Sequence, residues 1–298
     1  MFPEFDSHHL NCTDIRTLAR YITFIENEVA GYETFLSQLK PKNNCFIIGV
    51  TGPPGAGKST ITDSLIEEYI KQGEMVAVLC IDPSSPFNMG AILGDRIRMN
   101  RWYNHPNVYI RSLASRGALG GLSPMVIDIA EVLKAAGFTR ILIETVGVGQ
   151  SEVDVAGLAD VTVLVLVPES GDDIQSMKSG VLEIADVLVV NKCDRPEAEQ
   201  LITKLKQQLA YSEEKSDTPV IKCIATTGTG INELISCIEK KDTDTKNQNR
   251  KIILQAQRLY QIIQRKKMQS ISKEMLIHAI KEEAKSQSIY AIADKFCL

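Results

Sequence analysis

Residues 46–60 read FIIGVTGPPGAGKST, a short apolar run that gives way to glycines and prolines and then to Lys-Ser-Thr. Within it, GPPGAGKS at 52–59 fits the pattern G-x-x-x-x-G-K-[ST]. A strand pattern precedes it and the helical pattern TITDSLIEEYIKQG follows. That context predicts a loop, Gly52-Pro53-Pro54-Gly55-Ala56-Gly57, whose glycines let backbone N–H groups turn inward around a β-phosphate. Lys58 supplies a cation to the β- and γ-oxygens, and Ser59 is placed to ligate Mg²⁺. With Thr60 they open a helix whose N-terminus favours anions. A nucleoside triphosphate is the expected ligand.

A second stretch, VLVVNKCD at 187–194, ends an apolar strand pattern in Asn-Lys-x-Asp and points to the base. Asp194 can accept two hydrogen bonds from guanine N1–H and N2–H₂, which adenine cannot supply. Adenine would leave that carboxylate desolvated and unpaired. Asn191 is expected to tie this loop to the phosphate loop, and the stem of Lys192 to cover the base. The nucleotide is therefore read as GTP, with GDP as product.

Two acids fall at the ends of other strand patterns: Asp82 in AVLCIDPSS and Glu144 in RILIETVGVGQSE. In open parallel sheets the carboxyl ends of neighbouring strands meet at the ligand crevice, so both can hold Mg²⁺ directly or through water. GTPases usually carry Asp in the D-x-x-G of this position, and the longer Glu144 is expected to act through water. The glycine-containing stretches 86–99 and 115–124 read as mobile loops, the first of which could bring Asp95 and Arg96 near the phosphates.

Strand patterns at 46–51, 75–81, 108–112, 140–145, 161–167, 187–191 and 220–224 alternate with helical patterns, and several are apolar on both faces. The alternation predicts an α/β fold with a doubly wound, mostly parallel sheet. Residues 1–42 read as an N-terminal helical extension broken near Gly31, 43–240 as the nucleotide-binding core, and 241–298 as a helical arm. The arm opens with a polar linker, KKDTDTKNQNRK.

With 44% hydrophobic and 23% charged residues the chain has ordinary globular composition, and its net charge of −4 gives no reason to expect nucleic-acid binding. Thirteen Lys and Arg against six Asp and Glu fall in 240–298, at spacings that suit a solvated helix face. Seven cysteines form no C-x-x-C and no zinc-spaced pair with histidine, which suits reduced thiols in a cytoplasmic setting. Neither a targeting pattern nor a membrane-spanning run is apparent.

Taken together, GVTGPPGAGKST, IDPSSPF…GAILGDRIRM, IETVGVGQSE, GDDIQSMKSG and VLVVNKCD resemble the MeaB/ArgK type of P-loop GTPase, over about residues 14–240. The resemblance implies a P-loop NTPase fold of the SIMIBI type. It also implies a homodimeric GTPase that gates adenosylcobalamin delivery to an adenosylcobalamin-dependent acyl-CoA mutase, such as methylmalonyl-CoA mutase, and protects that enzyme. It places Lys58, Asp82, Asp95 and Glu144 on positions tied to Mg²⁺ binding and hydrolysis, and residues 172–181 on a partner-contacting switch. The family's guanine-contacting Ser-Ala-Leu aligns with Ile224-Ala225-Thr226, where the Ala225 N–H would reach guanine O6. The departures are Ile224 in place of serine, and Lys178-Ser179 where two lysines are usual. Two other readings stay open, a metallochaperone GTPase of the same fold branch and a small-molecule P-loop kinase.

Overall fold

Strands whose residues are apolar on both faces can be buried only in the middle of a layered domain, and here they are. In a computed structural model the described residues are 10–40, 42, 44–82, 99–114, 124–145, 151–171, 180–211, 215–243, 245–268, 270–283 and 287–296. Among them seven strands form one sheet: β1 (Phe46–Thr51), β2 (Val76–Asp82), β3 (Val108–Ala114), β4 (Arg140–Glu144), β5 (Val161–Leu166), β6 (Val187–Val190) and β7 (Val220–Lys222). The spatial order is β3-β2-β4-β1-β5-β6-β7. Every pairing between these strands is parallel, so the sheet is wholly rather than mostly parallel.

Side chains alternate across the strands into two layers. Ile47, Leu79, Ile141 and Ile143 face a core shared with the helices α1 (Ile15–Glu26), α2 (Tyr32–Ser37), α4 (Pro124–Ala136) and α5 (Ser151–Leu158). Ile48, Val50, Val78, Leu142 and Val163 face the opposite core, under α3 (Lys58–Lys71) and the helix Ile231–Thr243. A third cluster joins Leu164, Leu188 and Val190 to Leu201, Ile202 and Leu205 of the helix Ala198–Ala210. Gly49 makes the α5 layer possible, because a Cβ there would lie 2.9 Å from Val155 Cγ2 and 3.1 Å from Ala159 Cβ.

The N-terminal helix α1 is set by its own sequence. Asp14 caps it by accepting from the Thr17 N–H at 3.1 Å. Leu18, Tyr21, Ile22 and Ile25, at helical spacing, are buried, and the helix packs on α4. The break runs from Asn27 to Gly31, whose φ of 95° starts α2.

The arm departs from the reading of its first residues. KKDTDTKNQNRK is helical on both sides of residue 244: one helix runs through Thr243 and the next spans Thr245–Met268. Polarity alone does not make a linker. No glycine or proline occurs after residue 230, and Lys, Gln and Arg are good helix formers. Two compact units divide the chain between Asn249 and Arg250. The second contains the remainder of that helix, then Lys273–Glu283 and Ile289–Asp294, the last capped by Ser288. Among the described residues no helix is long and apolar enough to cross a membrane.

Candidate functional site

The chain reverses side at β1, which lies between β4 and β5, and in doubly wound sheets ligands bind beyond the strand ends at such a point. There β1 passes through the 52–57 loop into α3. Gly52 has φ 138°, and a Cβ would stand 2.0 Å from the Val165 carbonyl oxygen. Gly57, with φ 91°, precedes the first helical residue, and a Cβ there would meet Asn191 Nδ2 at 2.3 Å. Both glycines are thus required by backbone and by space. Gly55 differs: its φ is 76°, but a Cβ there would meet nothing within 4 Å. Buried Lys58 donates from Nζ to the carbonyl oxygens of Gly52 and Pro53, at 2.8 and 3.0 Å, so its ammonium hangs over the loop.

The acid at the end of β4 reaches the same helix turn. Ser59 Oγ donates to Glu144 Oε1 at 2.6 Å, and both side chains are buried. Glu144 is thus in direct contact with the residue that follows Lys58. Beside it, Thr51 and Thr145 share a hydrogen bond of 2.9 Å between fully buried hydroxyls, and the Thr145 N–H donates to the Val50 carbonyl. This pair ties the strand that feeds the glycine loop to the strand that delivers Glu144. Sequence reading missed it, since a threonine gives no signal until its partner is known. Asp82 ends β2, which runs in register with β4 at Cys80 and Glu144. Asp95 lies outside the described residues, as do 83–98, 115–123 and 172–179.

On the other side of β1, Asn191 at the end of β6 bridges two backbones. Its Nδ2 donates to the Ala56 carbonyl at 2.9 Å, and its Oδ1 accepts from the Ala225 N–H at 3.1 Å. A guanine O6 at Ala225 would therefore share that N–H with Asn191. Lys192 adopts φ 58° and donates from Nζ to the Gly55 carbonyl at 2.8 Å, laying its stem along the glycine loop. Asp194 is exposed, beside the ion pair of Arg195 with Glu169. Ile224–Thr226 are held by a bridge between Ile224 and Thr229 and by Ser64 Oγ, which donates to the Ala225 carbonyl at 3.3 Å. Gly230 closes that turn at φ 83°, where a Cβ would lie 2.0 Å from the Lys222 carbonyl oxygen. Cys223, beneath the loop, has its thiol pushed up to about 12 by burial.

One further cluster carried no motif. Asp63 and Glu67, one and two turns beyond Ser59 on α3, hold the Asn100–Trp102 turn. Arg101 Nε and Nη2 donate to Asp63 at 3.0 and 2.6 Å, Arg101 Nη2 donates to Glu67 at 2.8 Å, and Trp102 Nε1 donates to Asp63 at 2.6 Å. Lys71 first and Arg101 second hold the Glu67 carboxyl below the usual carboxylate range.

These features are a glycine-rich loop at a helix N-terminus, a buried hydroxyl–carboxylate pair where α3 meets the end of β4, and an Asn-Lys-x-Asp strand end that meets the loop. A Pyrococcus horikoshii protein named as a GTPase is 47% identical over 227 residues, 74% of this chain and 72% of its own length. A fused isobutyryl-CoA mutase of Geobacillus kaustophilus is 34% identical over 250 residues, 76% of this chain and 23% of that protein. A solved structure of an LAO/AO transport system kinase superposes with a TM-score of 0.70 over 98% of this chain and 95% of that one, at 23% identity, a likeness of fold alone. The family of methylmalonyl-CoA mutase-associated GTPases, MeaB, matches residues 18–285, and this P-loop GTPase chain belongs to it.

Proposed function

We propose that this GTPase is a chaperone of an adenosylcobalamin-dependent acyl-CoA mutase, gating cofactor loading and protecting the mutase. One observation carries the reading. In the fused isobutyryl-CoA mutase, a segment resembling 76% of this chain makes up 23% of a single longer polypeptide named for the mutase. A covalent union in a relative is what a standing functional partnership between separate chains would leave behind, and the family name points the same way.

Within the site, backbone N–H groups of the non-proline residues among 52–60 cradle the phosphates, Lys58 neutralises charge that develops during phosphoryl transfer, and Asn191, Lys192, Asp194 and Ile224–Thr226 frame guanine. Ser59 and Glu144 are hard oxygen donors 2.6 Å apart, which suits Mg²⁺. Among the described residues no three His, Cys, Asp or Glu side chains converge, and Mg²⁺ is commonly held by one or two carboxylates together with substrate phosphates. Ser59 and Glu144 would hold it, with Asp82 and Asp95 supplying further oxygens. Held there, the ion would supply Lewis-acid neutralisation of phosphate charge. Residues 172–181 are assigned to mutase contact.

Homodimer formation through the C-terminal arm is part of the same reading. Ile252, Ile253, Leu259, Tyr260 and Ile263 recur at helical spacing and are about half exposed or more, the pattern of an apolar face that pairs. Cytoplasmic placement is supported by the described cysteines, which form no disulfide.

The test is GTP turnover and complex formation with cobalamin-dependent acyl-CoA mutases, under GTP-analogue and GDP conditions. The expected result is a complex with one of them whose strength depends on the nucleotide, and faster turnover within it. No complex and no stimulation with any such mutase would end the proposal.

A further inference from the structure

We propose that Arg101 is a nucleotide-contacting residue on the nucleoside side of this site, and that Asp63 and Trp102 position it. The inference rests on the guanine-site reading above. A cavity of about 500 Å³ lies between α3 and the 225–232 loop, bounded by Thr60, Asp63, Arg101, Ala225 and Thr226 among others. Thr60 follows the two residues assigned to the phosphates, and Ala225 is the residue that Asn191 holds. A nucleotide with its phosphates at the start of α3 and its base at Asp194 and Ala225 must pass Thr60. That path brings its nucleoside into this cavity.

Arg101 is presented there as a fixed planar cation. Asp63 binds its Nε and Nη2, Glu67 binds Nη2 again, and the guanidinium carbon stands 4.5 Å above the centre of the Trp102 ring. The indole N–H is bonded to the same Asp63 oxygen, so three side chains set one orientation. A half-exposed surface arginine needs none of this to remain soluble. A guanidinium held flat and pre-ordered is suited to stacking on a base, or to donating to ribose oxygens, at little entropic cost. Lysine could not reproduce the plane.

The chain has a single tryptophan, Trp102, so its emission reports on this cluster alone. Titrating GDP into the wild-type protein is expected to give a saturable change in Trp102 fluorescence, and a flat titration at saturating GDP would contradict the proposal. Calorimetry should show Arg101→Ala weakening GDP about tenfold, Arg101→Lys less, and Trp102→Phe and Asp63→Asn about threefold. Inorganic tripolyphosphate, which needs only the phosphate loop, should bind wild type and Arg101→Ala within twofold of each other, and this also reports that the variant is folded. GDP affinity within twofold of wild type in Arg101→Ala would overturn the assignment, as would equal weakening of GDP and tripolyphosphate. Asp194→Asn separates the two readings. If it leaves guanine preference intact while Arg101→Ala still weakens GDP, the base assignment falls and the Arg101 contact stands.

Discussion

The two halves of the site are built from different materials. On the phosphate side the polar groups are tips of side chains on α3 and β4: Lys58 Nζ on two loop carbonyls, Ser59 Oγ on Glu144. On the base side one short amide, Asn191, is bonded at both ends to backbone, joining Ala56 to Ala225. A side-chain tip can change partners without moving the chain that carries it. A bridge between two backbones cannot be removed without loosening both. Loss of a side-chain tip on the phosphate side should therefore fail as chemistry, and loss of the Asn191 bridge on the base side as structure.

Lys58→Ala is the sharpest way to break that contrast. Loss of a cation aimed at developing phosphoryl charge should lower GTP turnover by about 10³-fold, measured as single-turnover phosphate release. Thermal melting should change much less than for changes on the base side. A variant that unfolds rather than merely stops turning over would erase the distinction.

Gly52→Ala is next in size. It places a Cβ on the Val165 carbonyl at a left-handed φ, and should cost about 3 kcal/mol or more in chemical denaturation. Gly55→Ala is its control, with the same sign of φ and open space, and should cost about 1 kcal/mol. Equal losses would mean that conformation alone, and not the approach of β5, fixes the loop.

Asn191→Ala should cost about 2–3 kcal/mol, because the Ala56 carbonyl and the Ala225 N–H lose their buried partner. GDP affinity should fall with it, read by calorimetry. If stability held while affinity dropped, Asn191 would be a ligand contact and not a bridge.

How much of this was legible follows from the range of the forces involved. The strands could be read to within two residues at each end, because apolar runs bounded by turn residues are local signals, as in Val161–Leu166. The glycine loop and the ties of Asn191 and Lys192 to it were legible because such a motif demands fixed residues at fixed spacing. Thr51 with Thr145 and Asp63 with Arg101 and Trp102 were not, since partners 94 and 38–39 residues apart are brought together only by the sheet order and the lie of α3. Polar composition misled at 240–251, where on both sides of residue 244 helix propensity without glycine or proline prevailed over the appearance of a linker.

Base recognition is the claim on which the assignment of the whole site turns, and Asp194→Asn tests it most directly. Competition binding of GTP, ATP and xanthosine triphosphate to wild type and variant would read it. The account predicts that wild type prefers GTP and that the variant loses GTP affinity by about two orders of magnitude while gaining xanthosine triphosphate, whose 2-oxo group matches the new amide. A variant that keeps the wild-type order of preference would contradict it.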